Sequence, residues 1–182
     1  RRARAGFEEW AERWIGLEHR NLVPVLDAFS AGDKHYLLMP LVLGWNVAQL
    51  LRSPALELGE EAVCNWGAQL CDLLTYLHSQ DPPIIRGELA PEHVMVTREG
   101  LIQLVHHGLT RLFLPVAEAA SPYAAPEQKA GAMTPAADVY ALGVLLYAVL
   151  TRRLLGAPSR WRSFFRDVAG VSRRVELAIL RA

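Results

Sequence analysis

The chain has 182 residues, 52% hydrophobic and 21% charged, enough for one domain with a real core and far from the disordered regime. Its 19 basic and 19 acidic residues cancel, so no broad field draws nucleic acid, and Arg1, Arg2 and Arg4 read as a solvated end. No signal peptide opens the sequence, and the longest apolar run, Val139 to Leu150, is too short to span a bilayer and reads as a buried helix.

In chain order, Phe7 to Leu17 sets Phe7, Trp10, Ala11, Trp14, Ile15 and Leu17 at helical spacing, with Trp10 and Trp14 as core residues. Asn21 to Phe29 and Lys34 to Leu43 read as strands joined by the hairpin turn Ala31-Gly32-Asp33-Lys34, with His35 as a turn residue. Gly44 marks a break, and Asn46 to Leu51 a short helix.

Gly59 to Ser79 is a long helix with Val63, Trp66, Leu70, Leu73, Leu74 and Leu77 along one face, stopped by Asp81-Pro82-Pro83. Cys64 and Cys71 lie two helical turns apart on it, roughly 10 Å, too far for a disulfide. They read as buried free thiols of a reducing compartment. Val94–Val96 and Ile102–Val105 are brief strands around the turn Arg98-Glu99-Gly100. Thr134 caps the next helix, with Pro135 at its first position. That helix runs to Leu150 and is apolar almost all round, which belongs at the centre of a helical lobe. Val175 to Ala182 stops inside a helical pattern, and Arg1 is not a start methionine, so the chain is expected to be part of something longer.

Six stretches carry a resemblance. Residues 19–29, His-Arg-Asn-Leu-Val-Pro-Val-Leu-Asp-Ala-Phe, are followed by Tyr36-Leu37-Leu38-Met39 and then by Leu74-Thr75-Tyr76-Leu77-His78. Residues 84–96, Ile-Ile-Arg-Gly-Glu-Leu-Ala-Pro-Glu-His-Val-Met-Val, come next. Ser121 to Gln128 ends in Ala-Pro-Glu-Gln, and Ala137 to Tyr147 reads Ala-Asp-Val-Tyr-Ala-Leu-Gly-Val-Leu-Leu-Tyr. In order and spacing these resemble the eukaryotic-type protein kinases, most of all the bacterial serine/threonine kinases.

The resemblance implies an α+β protein-kinase-like fold with an incomplete small β-rich N-lobe and a mainly helical C-lobe. Residues 1–42 would be an N-lobe remnant (third helix, last strands, hinge), and 43–182 a C-lobe truncated before its last helices. Met39 falls at the gatekeeper and Leu41 and Val42 in the hinge; with Met95 they would line the nucleotide pocket. Asp138 matches the aspartate that binds catalytic-loop amides. Glu127 matches one half of a buried ion pair whose arginine would lie beyond Ala182, leaving a buried carboxylate unpaired here. Arg86 and His107 fall on the internal hydrophobic spine.

The same register removes most of the chemistry. Phosphoryl transfer needs a metal on the phosphates, a lysine held by a glutamate, and an aspartate accepting the hydroxyl proton. Trp10 stands where the family keeps the lysine-pairing glutamate. Glu88 stands at the catalytic base, one methylene longer than aspartate. Ala90 replaces the lysine that steadies the γ-phosphate. His93 and His106 replace the two magnesium ligands, and imidazole suits that hard cation poorly. Ala120 falls at the threonine of the substrate loop.

The expectation is therefore a cytoplasmic pseudokinase acting as a scaffold or regulatory module with a protein partner, without nucleic acid or membrane contact from this segment. No cofactor follows with assurance: ATP could bind without turnover, and magnesium is not expected. The alternative is a weak or atypical serine/threonine kinase binding ATP with Glu88 as base. A zinc or iron site at His93, His106 and Glu88 is a third reading, weighed against simple relaxation after loss of magnesium. His19 and His78 are expected to pack and hydrogen-bond, and Ser121 to be a surface serine.

Overall fold

The computed structural model describes residues 2–53, 58–87, 89–105, 121–154 and 171–182. It is an α+β arrangement: a small lobe built on an antiparallel hairpin and one helix, and a helical lobe. The opening helix α1 (Arg2–Trp14) starts earlier and ends sooner than the apolar stripe indicated. It buries Phe7, Ala11 and Trp14, and Trp10 stacks between Phe7 at 6.2 Å and Trp14 at 5.7 Å.

The hairpin pairs β1 (Asp27–Ala31) with β2 (Lys34–Leu38) in antiparallel register, Ala31 opposite Lys34. Gly32, with φ 62°, supplies the left-handed turn residue at the expected place. Both strands are shorter than anticipated. Residues 21–25 make only single bridges, Leu22 to Leu104 and Ile15 to Val25, because they run between other elements rather than along one neighbour. His35 is not a turn residue: it lies in β2, its ring 4.8 Å from Phe7 and its Nδ1 2.8 Å from Ser30 Oγ, tying the hairpin to α1.

A second sheet was only half foreseen. β3 (Gly44–Asn46) pairs with β4 (Val94–Thr97), which pairs with β5 (Ile102–Leu104). Gly44 is a strand residue rather than a break. A Cβ there would lie 2.2 Å from the Val96 carbonyl oxygen, so only glycine lets the two backbones approach. The far side of β5 is taken by residues 21–23, through Leu104 N–H to Asn21 O at 2.8 Å and Val23 N–H to Leu104 O at 3.1 Å.

α2 (Val47–Arg52) begins one residue later than expected because Asn46 is its cap, in a reciprocal capping box with Gln49. α3 (Glu60–His78) buries the foreseen face, and α4 (Pro135–Thr151) is capped by Thr134 and buried almost throughout. Gly67 lets these helices close together: a Cβ there would meet Leu146 Cδ1 at 3.1 Å. α5 (Arg173–Arg181) docks on α4 through Ile179, with Ser172 capping it and binding Glu60 at the start of α3.

The cysteines correct an expectation. Cys64 and Cys71 are free but exposed, because both lie outside the buried stripe of α3, on its flank. Among the described residues, no helix is long and apolar enough to cross a membrane.

Candidate functional site

The site is built around the loop between α3 and β4. Its anchor is Asp138, fully buried in the first turn of α4. One carboxylate oxygen accepts the Arg86 N–H at 2.9 Å and lies 2.8 Å from His78 Nε2; the other accepts the Gly87 N–H. His78 is the last residue of α3, so Asp138 joins the ends of two core helices to the loop. Three donors around one buried carboxylate compensate its lost hydration.

Gly87 is held from its other side as well. Its carbonyl accepts from Gln128 Nε2 at 2.7 Å, while Gln128 Oε1 accepts the Ala125 N–H at 2.6 Å. Gly87 has φ 68°, a conformation glycine adopts without a Cβ penalty. Gln128 therefore rivets the Ala125-Pro126-Glu127 turn to the loop, a function that resemblance had not assigned to it. Its position directly after Glu127 was visible; the partner 41 residues away was not.

A second unforeseen group is Asn21, fully buried. It donates Nδ2 to Ile102 O and to Gln69 Oε1, both at 2.8 Å, and Gln69 Oε1 also accepts the Ile102 N–H at 2.9 Å. These bonds lock the 19–23 segment against β5 and α3. His19 behaves as expected, 3.2 Å from Asp72 and stacked on Tyr76. Tyr76 also accepts the Glu18 N–H at its hydroxyl, and Arg13 donates to the Pro82 and Pro83 carbonyls, so the small lobe is tied to the loop's approach.

Among the described residues, Leu41 and Val42 line one cavity and His93 another. Leu41 and Val42 line a cleft of about 660 Å³ with Leu43, Gly44, Trp45, Thr97, Arg98, Glu99 and Gln103. Met39, just past β2, and Met95, on β4, are half-buried and stand outside that lining. His93 instead lines a separate cavity of about 420 Å³, with Ala90, Glu92, Ser121, Pro122, Tyr123 and Leu154. Ser121 is partly buried there, its hydroxyl accepting the Tyr123 N–H at 3.2 Å.

Glu88, His106, His107 and Ala120 lie outside the described residues. Among those described, no group of three His, Cys, Asp or Glu side chains is placed to hold a metal ion. Ala90 is buried and carries no charge, and the Nδ1 of His93 is buried. Glu127 corrects the expectation of a buried carboxylate: its side chain is exposed, and its backbone carbonyl accepts from Ala132 N–H at 3.2 Å. Arg86, by contrast, is fully buried at its spine position.

A strand-bearing small lobe, a helical lobe, and a loop held by a buried aspartate from the central helix define a protein of the kinase fold class. The sequence profile of the protein kinase domain matches residues 12–170, and the chain belongs to that family. It is similar to sperm motility kinase 3A of Mus musculus, 27% identical over 161 residues, which is 81% of this chain and 31% of that protein. It is also similar to a probable serine/threonine-protein kinase of Clostridium perfringens, 26% identical over 153 residues, 80% of this chain and 22% of the relative. The serine/threonine-protein kinase Pkn1 of Myxococcus xanthus is 29% identical over 149 residues, 75% and 21% of the two chains. The chain thus spans between about a fifth and a third of these relatives.

Proposed function

We propose that this domain is a pseudokinase: a cytoplasmic scaffold or regulatory module that binds a protein partner and carries out little or no phosphoryl transfer. One observation carries the reading. The loop is gripped by Asp138 and Gln128 through the Arg86 and Gly87 backbone, while the residues at its lysine and asparagine positions are Ala90 and His93. A framework kept while the charged groups are replaced fits a fold retained for binding rather than for chemistry.

The competing reading, a weak serine/threonine kinase using Glu88, is favoured by the names of the relatives, which are those of kinases. A thermal-shift titration of the full-length protein separates them, using ATP with and without magnesium, manganese or zinc. No magnesium-dependent rise in Tm is expected. A rise with ATP alone identifies nucleotide binding without turnover. Stabilisation by zinc alone would bring back the histidine site. A magnesium-dependent rise followed by phosphate transfer to a protein substrate overturns the proposal.

A further inference from the structure

The β1–β2 hairpin has two unlike faces. His35 and Leu37 turn inward, His35 onto Phe7 of α1 and Leu37 onto the core. The outer face carries the cross-strand pairs Asp27–Leu38, Phe29–Tyr36 and Ala31–Lys34, all of them exposed. Its centre is apolar. The Phe29 and Tyr36 rings stack at 5.1 Å with Leu38 on the same face, and these side chains are 50%, 41% and 52% exposed. An aromatic pair left in water at the middle of a sheet face marks an interaction surface more than scattered apolar residues do.

The charges on this face select what covers it. Asp27 stands at the open end and Lys34 at the turn end, on opposite strands. Four residues of strand separate them, roughly 13 Å, so they cannot pair within one hairpin. Among the described residues neither enters an ion pair. Asp27 accepts only the Ala28 N–H beside it, at 2.8 Å, and the Lys34 ammonium donates no hydrogen bond, even to neighbouring Asp33. A face with an acid at one end, a base at the other and rings between is complementary to itself turned end for end. A two-fold axis lying between two such faces, across the strands, makes that turn. It sets Asp27 of each copy over Lys34 of the other and brings the two Phe29–Tyr36 pairs together. A foreign partner would need no such symmetry in the patch.

We propose that the outer face of the β1–β2 hairpin binds a second copy of this chain about a two-fold axis. Phe29 and Tyr36 form the centre of the interface, and two Asp27–Lys34 ion pairs close its ends. None of these residues belongs to the loop held by Asp138. The inference therefore goes beyond the partner-binding reading and stands whether or not the domain transfers phosphate.

Sedimentation velocity of the full-length protein through the micromolar range tests it. Wild type should show a monomer–dimer equilibrium, since a face this small makes a weak dimer. Lys34→Glu sets like charges at both ends and should leave only monomer, and Asp27→Lys should do the same. An equimolar mixture of these two variants should dimerise again, because each offers the charge that the other lacks. The double variant should regain the wild-type equilibrium. Tyr36→Ser should abolish association with both charges intact. All three sites are exposed, so an unchanged Tm verifies each fold, and Phe29→Ser replaces any variant that fails this check. A wild-type monomer at every concentration overturns the proposal, whether the face is bare or covered by another part of the chain. A dimer that the charge exchanges leave unchanged overturns it equally.

Discussion

Gln128 reaches across 41 residues to bind the Gly87 carbonyl at 2.7 Å, while Asp138 takes the N–H of the same residue, so one glycine is gripped at both its polar groups. The two grips come from different elements, the 125–130 turn and α4. The loop's path therefore depends on both being docked.

Replacing Gln128 tests the first grip. Gln128→Ala should cost about 1–3 kcal/mol, because it leaves a buried carbonyl and a buried N–H without partners. Urea unfolding monitored by circular dichroism measures it. A loss below a few tenths would show that water takes over both bonds.

The second grip should matter more. Asp138→Ala strands the Arg86 and Gly87 N–H groups and His78 inside the fold and should cost about 3–5 kcal/mol. Asp138→Asn keeps one acceptor and should cost less. Native-state hydrogen exchange supplies a local readout: the amides of Arg86 and Gly87 should lose protection before those in the middle of α3.

At Gly44 the constraint is steric. Gly44→Ala drives a Cβ into the Val96 carbonyl and should destabilise by about 1–3 kcal/mol, although the position is only half-buried. A neutral result in thermal denaturation would mean that β3 can lift from β4.

Acid should loosen α5. The Ser172 backbone N–H, and then its hydroxyl, hold the Glu60 carboxyl below its ordinary value of 4.5. A carboxyl lowered in the folded state contributes stability above its unfolded pKa and loses it as pH falls through the folded one. The protection factors of the first amides of α5, corrected for intrinsic exchange, should therefore fall as pH drops below about 4.5, and Glu60→Gln should remove that change in protection.

Thiol chemistry checks the corrected cysteines. Both Cys64 and Cys71 should react with a disulfide reagent in the native state, since both are exposed. Cys71 should react more slowly, because burial of its surroundings pushes its thiol up and thins the thiolate. Protection of both until unfolding would restore the buried assignment.

The sequence by itself determined the kinase family, the order of the helices, the cap at Thr134, the buried face of α3 and the role of Asp138. All of these rest on local patterns or on motifs whose spacing is written along the chain. Tertiary structure decided what depends on distant partners. Gly44 is a strand residue because Val96 lies against it, and residues 21–25 form no long strand because their neighbours change along their length. Glu127 is exposed while Gln128 beside it is buried, since only the latter points at Gly87. The cysteines sit on the solvent side of α3 because Leu70, Leu73 and Leu74 face α4 and the core, and periodicity alone could not say how wide that face would be. Nor could it show that Leu41 and Val42 line one cavity and His93 another, because a motif carries residue types in order and leaves the direction of their side chains to packing.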